Sequence, residues 1–419
     1  ASVDASAKDN GDGGQIIAFA DENGYFAGDF LARGGLNGGD GGFIETSAKD
    51  SVGVLGSFDT SAPEGQSGEW LIDPRNMYIL NWTDFLLDNQ GQTLQPSDKN
   101  IPLLNPSFSF LDTDTLLNAL SSGNVTVQTL DNGTPGAGNI NVLSQIDNSS
   151  NSHSLELQAW NDINIYNNIN MGGGNLALKA GYNVNETQFH PDNTSNIDVY
   201  ANITTNGGNF TASSNDMTII STGSIDAGDG TVNISRSGDG TIGLGSANGD
   251  MEISQPELDR ISAGSLQIGR DNADDSKTTD ISVNGANISH IGTVDLNALA
   301  ASSVTYSGTS YFVDLNAKSD TINVNDGATV DADSIDFDAD TVKLEGDLGA
   351  PTITGTATTV KVNDDDDLDN EQIQDGIDVA GSGATVNVGA GTYEESLDVN
   401  VAELDLEGAN SGKAWDDEN

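Results

Sequence analysis

The 419-residue chain contains no cysteine. That excludes disulfides and thiolate metal centres, and it suits a protein exported unfolded with no crosslink to trap it. Basic residues are scarce: 14 Lys and Arg stand against 65 Asp and Glu, for a formal net charge of −51. A field of that sign repels nucleic acid and anionic membrane surfaces, so neither is an expected partner. The three histidines, His153, His190 and His290, lie scattered between predicted strands with no companion motif. None is expected to be catalytic or metal-ligating. No apolar run approaches the roughly 20 residues of a membrane-spanning helix. No signal peptide opens the chain. The sequence starts inside a repeat-like texture and stops without a terminating feature, and it reads as a fragment of a larger protein.

What is present is glycine and short alternation. Asn-Gly, Gly-Gly and Asp-Gly pairs supply tight corners between brief apolar runs. Residues 1–76 read as such strands, at 1–6, 15–20, 24–30, 43–44 and 52–55. Residues 124–362 form the body. Alternating pairs recur there, among them Val125 and Val127, Leu155 and Leu157, Ile163 and Ile165, Leu176 and Leu178, Ile281 and Val283, Ile322 and Val324, and Val342 and Leu344. Two or so strands occupy each stretch of ~20 residues. One such repeat has too few apolar side chains to close a core, so burial must come from stacking on neighbours. The fold class this implies is all-β: a right-handed parallel β-helix with short helical insertions. At ~4.8 Å between stacked strands the body amounts to roughly twelve rungs and about 55–60 Å.

Two stretches break the texture. In residues 77–123, Pro96, Pro102, Pro106 and the polar run 88–100 predict an irregular excursion. It ends in a helix that Thr113 or Asp114 caps, with Leu116, Leu117 and Leu120 on one face and Gly123 as the stop. By analogy with solenoid caps, this helix is expected against one end of the coil. Farther on, Ser254 and Glu257 have capping-box spacing with Pro256 in the first turn, which predicts a short helix ahead of Leu258 and Ile261. Residues 363–419 read as an acidic linker, an amphipathic helix at 369–380 bearing Ile373 and Ile377, and further strands.

Several segments carry a resemblance. VDAS, GGQIIAFAD, RGG, GGDGGFIETS and WLIDP follow one another within the first 76 residues. A leucine-bearing helix then leads into Gly123-Asn-Val-Thr-Val-Gln-Thr129, and MEISQPELDRISAGSLQIG occupies 251–269. In this order they resemble filamentous-haemagglutinin-type exoproteins of bacterial two-partner secretion. The resemblance implies a structural stalk of a large secreted or cell-surface adhesin. An outer-membrane transporter would be its export partner, and a distal region would bind carbohydrate or a host receptor. The helix leading into TVNVGAGTYEE is similar to the start of pectin-lyase-like β-helices, which implies a second, truncated β-helix at the C-terminal end. Two alternatives are a carbohydrate-active β-helix enzyme (a polysaccharide lyase or hydrolase) and a self-assembling extracellular fibre subunit.

Calcium is the one cofactor the residues suggest. Asp331, Asp333, Asp336, Asp338 and Asp340 are closely spaced, and Asp364, Asp365, Asp366 and Asp367 are contiguous. Oxygen-rich sets of this kind take calcium where adjacent corners bring them together. Neither set has the glycine-punctuated spacing of a calcium loop or nonapeptide repeat. No catalytic residue is assigned. With 65 acidic residues, carboxylate pairs of glycosidase type arise by chance. Lys343, Lys361 and Lys413 lack the carboxylate or calcium cluster that lyase chemistry needs. Asn-X-Ser/Thr sequons occur at Asn81, Asn124, Asn132, Asn148, Asn185, Asn193, Asn202, Asn209, Asn233 and Asn287. Some adhesins of the resembled family are glycosylated at such sites, but Asn is also what β-helix corners prefer.

Overall fold

Alternating side chains bury one row and expose the next, and the computed structural model shows what the buried rows meet. The structure describes residues 1–88, 108–129, 138–181, 194–270, 279–362, 372–391, 393 and 395–411. The chain divides into two units, Ala1–Val232 and Asn233–Asn419. Each is built of parallel strands coiled so that equivalent strands of successive rungs pair, the arrangement of a parallel β-helix.

In the first unit most rungs have three faces. The first rung is β1 (Ser2–Asp4), β2 (Gln15–Ala20) and β3 (Asn23–Phe26); the second is β4 (Asp29–Leu31), β5 (Phe43–Ala48) and β6 (Ser51–Val54). The third is β7 (Ser57–Asp59), β8 (Glu69–Asp73) and β9 (Met77–Leu80). α1 (Trp82–Asp88) follows, and the irregular stretch expected around Pro96, Pro102 and Pro106 lies outside the described residues, which resume ahead of β10 (Phe110–Asp112). β10 inserts between β6 and β9 and pairs with both. Trp82 and Phe110 stack at 4.4 Å beside Phe85 and Phe108. Aromatic burial thus binds α1 and β10 to the sheet.

Next comes α2 (Thr113–Leu120). Its cap is Asp112, not Thr113 or Asp114: the Asp112 carboxylate accepts the Thr115 N–H at 3.2 Å. Asp112 also accepts the Trp82 N–H at 2.9 Å, which ties both ends of the excursion together. Nor does α2 sit at an end of the coil. It packs against β7 on one side and β13 (Ile146–Asn148) on the other, occupying the place of a strand in the third face. Leu116 and Leu120 are fully buried there, whereas Leu117 is only half-buried.

The rungs above α2 resume the pattern. They comprise β11 (Asn124–Gln128), β12 (Ile140–Val142), β13, β14 (Leu155–Ala159), β15 (Ile163–Ile165), β16 (Ile169–Met171) and β17 (Leu176–Ala180). Then follow β18 (Asn196–Val199), β19 (Asn202–Thr204), β20 (Phe210–Ser214), β21 (Asp216–Ile219) and β22 (Ser224–Asp226). Leu155, Leu176 and Phe210 lie in one buried column, and Ile140, Ile163, Ile197 and Met217 in another. Near the start the core is aromatic: Phe30 stacks on Phe58 at 4.9 Å and Phe58 on Trp70 at 3.8 Å. The buried Trp70 indole N–H donates to the inward Thr46 hydroxyl at 3.1 Å.

Corners are held by side-chain amides and carboxylates that accept the backbone N–H of the next rung. Asp12 accepts from Asp40, 28 residues on, and Asp40 accepts from Gln66, 26 residues on. Asn139, Asp162, Asn168, Asn175 and Asn209 act likewise, over steps of 22 to 34 residues. Such bonds satisfy corner N–H groups outside the strand ladders. At the stacked glycines the backbones come closer still. A Cβ on Gly41 or Gly68 would collide with the carbonyl oxygen of Thr60 or Gly42, so only glycine fits.

The second unit is more regular. β23 (Thr231–Arg236) contains the unit boundary and is followed by β24 (Gly240–Gly245), β25 (Met251–Ser254), α3 (Gln255–Leu258), β26 (Ile261–Ser262), β27 (Ser265–Gly269) and β28 (Thr279–Asn284). The capping box forms as expected: the Glu257 carboxylate accepts from the Ser254 N–H at 2.9 Å, and Leu258 is buried. Long strands then run through bends: β29 (Thr293–Ser307), β31 (Asp314–Val324) and β33 (Ser334–Leu344), with the short third-face strands β30 (Thr309–Tyr311), β32 (Thr329–Asp331) and β34 (Asp347–Gly349). In β31 and β33 the alternation slips once, at Asp320-Thr321 and Asp340-Thr341, where two successive residues leave the core. That slip turns the strand from one face of the coil to the next.

The unit ends with β35 (Ile353–Gly355), β36 (Ala357–Val362), α4 (Gln372–Asp378), β37 (Ala380–Val388) and β38 (Asp405–Gly408). Residues 369–371 of the predicted span lie outside the described residues; the helix ends at Asp378, two residues before the predicted end, and buries Ile373 and Ile377. β37 pairs in parallel with β36, so these strands continue the sheet of the preceding rungs.

Candidate functional site

The acidic stretch singled out in the sequence lies on the outer face of β33. Its alternation buries Ile335, Phe337 and Ala339 and turns Asp336, Asp338 and Asp340 outward. Register then decides what each meets. Asp336 stands in a column with Asn316 before it and Thr354 after it; Asp338 has Lys318 before it and Thr356 after it. The Thr354 hydroxyl donates to Asp336 at 2.7 Å and the Thr356 hydroxyl to Asp338 at 2.7 Å, each across a step of 18 residues. The Asn316 amide donates to Asp295 at 2.7 Å, and the Lys318 ammonium lies 3.3 Å from Asp338. Thr358 donates to the backbone carbonyl of Asp340.

These contacts set the electrostatics. The Thr356 hydroxyl, and with it the Lys318 ammonium, holds the Asp338 carboxyl below the usual carboxylate range despite partial burial. The face is a shallow open depression of about 360 Å³, lined chiefly by Gln267, Asp295, Asn297, Asn316, Lys318 and Asp338. It presents planar amides and carboxylates in two parallel columns, suited to hydrogen-bonding a hydroxyl-rich ligand.

The five aspartates are not brought together as a metal site. Asp331 lies on the third face in β32, paired in register with Tyr311 and Gly349. Asp333 is exposed at the following corner, where its N–H donates to Val313. Asp336, Asp338 and Asp340 point outward in separate columns, and the first two spend lone pairs on threonine. Among the described residues no group of three or more His, Cys, Asp or Glu side chains is placed to hold a metal ion. A β-strand separates alternate side chains too widely for three of them to converge on one ion. Asp364, Asp365, Asp366 and Asp367 lie outside the described residues.

Sequence reasoning missed Asn316, Lys318, Thr354 and Thr356 as partners in this face. The signal was available: Asp336, Asp338 and Asp340 are echoed 18 residues later by Thr354, Thr356 and Thr358.

The other candidates resolve into scaffolding. His153 bridges the Leu120 carbonyl at 2.8 Å and the Ser67 hydroxyl at 3.1 Å, pinning the end of α2. His290 contacts the Ile261 carbonyl at 3.1 Å, and His190 lies outside the described residues. Among the sequons, Asn148 is buried, and Asn124, Asn202 and Asn209 each bond the next rung. Asn132, Asn185 and Asn193 lie outside the described residues. A second groove, of about 510 Å³, is floored by the backbone of Gly13, Gly14, Gly41, Gly42 and Gly68 in the first unit.

Two carboxyls have unusual surroundings. Burial, and then the nearby Glu45, pushes Asp73 up to about 7, and its Oδ1 has no hydrogen-bond partner. Burial, followed by Asp378, Glu395 and Asp347, pushes Asp375 up to about 7. Close by, Glu395 accepts the N–H groups of Ile373 at 3.1 Å and Gln374 at 3.0 Å at the start of α4.

The chain matches no protein-family model, and no curated protein matches it.

Proposed function

We propose that this chain is a structural stalk segment of a large secreted or cell-surface bacterial adhesin, exported by two-partner secretion and holding a distal binding region away from the cell. The observation that carries the reading is how the outer polar side chains are used. Aspartate, asparagine, threonine and lysine on the described faces bond the neighbouring rung, so their chemistry serves stacking. Parallel coils of this kind grow by repetition and need no long-range closure, which suits a spacer. A chain without cysteine that folds by stacking one rung on the next also suits passage through an outer-membrane transporter in the unfolded state. Among the described residues no helix is long and apolar enough to cross a membrane. The reading assigns the segment no catalytic role.

The test is surface labelling of the producing cell. Antibodies raised against the purified chain are expected to bind intact cells, and deleting the secretion transporter is expected to abolish that label. Label that requires permeabilised cells would overturn the proposal. Release of reducing ends from a polysaccharide by the purified chain, lost on mutating one carboxylate, would replace it with an enzyme.

A further inference from the structure

Two of the eight tyrosines in the chain lie one above the other on the outside of the first unit. Tyr166 directly follows β15 and Tyr200 directly follows β18, strands that pair in register with Ile165 opposite Val199. The Tyr166 N–H donates to the Val142 carbonyl of the preceding rung, and the Tyr200 N–H donates to the Ile165 carbonyl in the same way. Equivalent side chains on stacked strands are held at about the rung spacing. Here the ring centroids are 4.8 Å apart and the planes 15° off parallel. Tyr166 is 48% exposed and Tyr200 is half-buried. Among the described residues no other tyrosine stacks on a tyrosine: Tyr78 lies on Phe108 and Tyr306 on Phe337. The Tyr200 hydroxyl donates to the Asp198 carboxylate, two residues back on the same side of the chain.

We propose that Tyr166 and Tyr200 are a modification site, where a peroxidase using hydrogen peroxide couples the two rings as dityrosine and so staples successive rungs covalently. The oxidant takes one electron from each phenol. The Tyr200 proton passes to the Asp198 carboxylate and the Tyr166 proton to water, leaving two tyrosyl radicals face to face. One carbon–carbon bond then forms between a ring carbon ortho to each hydroxyl. Each joined carbon gives up its hydrogen as a proton while its oxygen regains one, which restores both phenols. In sum the pair loses two hydrogens, and the peroxide takes up two electrons and two protons to become two waters. Asp198, and then burial and Tyr166, raise the Tyr200 hydroxyl above its usual range, so that phenol gives up its proton with the electron and not before it. Burial, and then Asp162 and Asp216, raise the Asp198 carboxyl too, which makes it a stronger base for that proton. Two rings already in contact need no encounter step. Radicals on separate chains must meet by diffusion, and a net charge of −51 on each chain opposes that meeting. Coupling therefore runs within one chain, between one rung and the next.

The experiment treats the purified chain with a haem peroxidase and hydrogen peroxide, and follows dityrosine by its fluorescence and by the masses of the linked peptides. The parent is expected to give one main product, a peptide pair bearing Tyr166 and Tyr200 and lighter by two hydrogens. Tyr166→Phe and Tyr200→Phe keep the ring stack and remove one phenol, and each is expected to lower the yield at least about tenfold. Tyr25→Phe removes an exposed tyrosine that stacks on no other ring among the described residues, and is expected to leave the yield unchanged. Thermal melts of the untreated variants separate lost coupling from lost folding. The oxidised parent is expected to melt higher than the untreated chain, because the link closes a loop in the unfolded state, whereas peroxidase-treated Tyr166→Phe is expected to melt as it did before treatment. No dityrosine in the parent, or an equal yield in Tyr166→Phe, would overturn the proposal. So would a main product of linked dimers whose yield climbs with chain concentration.

Discussion

The two units solve the same problem with different materials. In Ala1–Val232 the step between rungs wanders from 20 to 34 residues, and the slack is taken up by ring stacks, an inserted strand and a helix standing in for a strand. In the β29–β36 part of Asn233–Asn419 the step settles at 18 to 21 residues, and β31 and β33 share one burial pattern over all 11 residues. A constant step puts like positions over one another, so outward residues form columns whose chemistry is set by their neighbours. An irregular step leaves each rung to fill its own interior, which is where Phe58 and Trp70 are needed.

The sharpest way to break this comparison is to remove a ring. Trp70→Ala is expected to cost about 3–5 kcal/mol in urea unfolding, as large aromatic truncations do. Phe337→Ala, whose ring lies 6.0 Å from Tyr306 in a run of aliphatic neighbours, is expected to cost less than Trp70→Ala. Equal losses would mean that aromatic filling matters no more in the irregular unit. Next come the glycines. Gly41→Ala drives a methyl into the Thr60 carbonyl and is expected to cost more than about 2 kcal/mol. Gly327→Ala, at φ +68 with open space around it, is expected to cost about 1–2 kcal/mol from backbone strain alone.

pH gives a third handle, and here the units are expected to behave alike. Asp73 and Asp375 each rise from 3.8 to about 7 in the fold. The folded chain therefore binds more protons than the unfolded chain between those values. The contribution of these two groups to stability is expected to be fully present below that window, to fall as pH rises through it, and to level off above about 7. Asp73→Asn and Asp375→Asn should each flatten part of the slope in denaturation curves taken from pH 4 to 8. The smallest effect belongs to the polar columns. Asp338, half-exposed beside Lys318, is expected to cost at most about 1 kcal/mol on change to Asn. The melting temperature of the chain is expected to be the same with and without a calcium chelator. A drop on chelation would show that the acidic residues hold metal after all.

Much of the architecture was legible because its cause is local. Alternation at Val125 and Val127 or at Ile163 and Ile165 needs no knowledge of the partner strand to predict which side is buried, and the structure buries all four. The capping box at Ser254 and Glu257 was equally self-contained. What escaped was set by residues distant in sequence. Nothing near Phe110 says that it will wedge between two strands already paired in order, and nothing near Thr113 says that its helix will fill a strand's place. The candidate face shows the same division. That Asp336 and Asp338 face outward follows from period two, but their partners are fixed by a step of 18 residues that only stacking defines.

One consequence follows from α2. A strand passes hydrogen bonds to the rung on either side, whereas a helix satisfies its backbone within itself. The third face of the first unit is therefore two ladders, β1–β4–β7 and β13–β16–β19–β22, with α2 between them. Under a pulling force that peels this face strand by strand, the tear is expected to stop at α2. Restarting it would require pulling out Leu116 and Leu120 together, in place of breaking one more pair of backbone bonds. In single-molecule extension that event should register as a force peak separate from the shallow saw-tooth of the ladders.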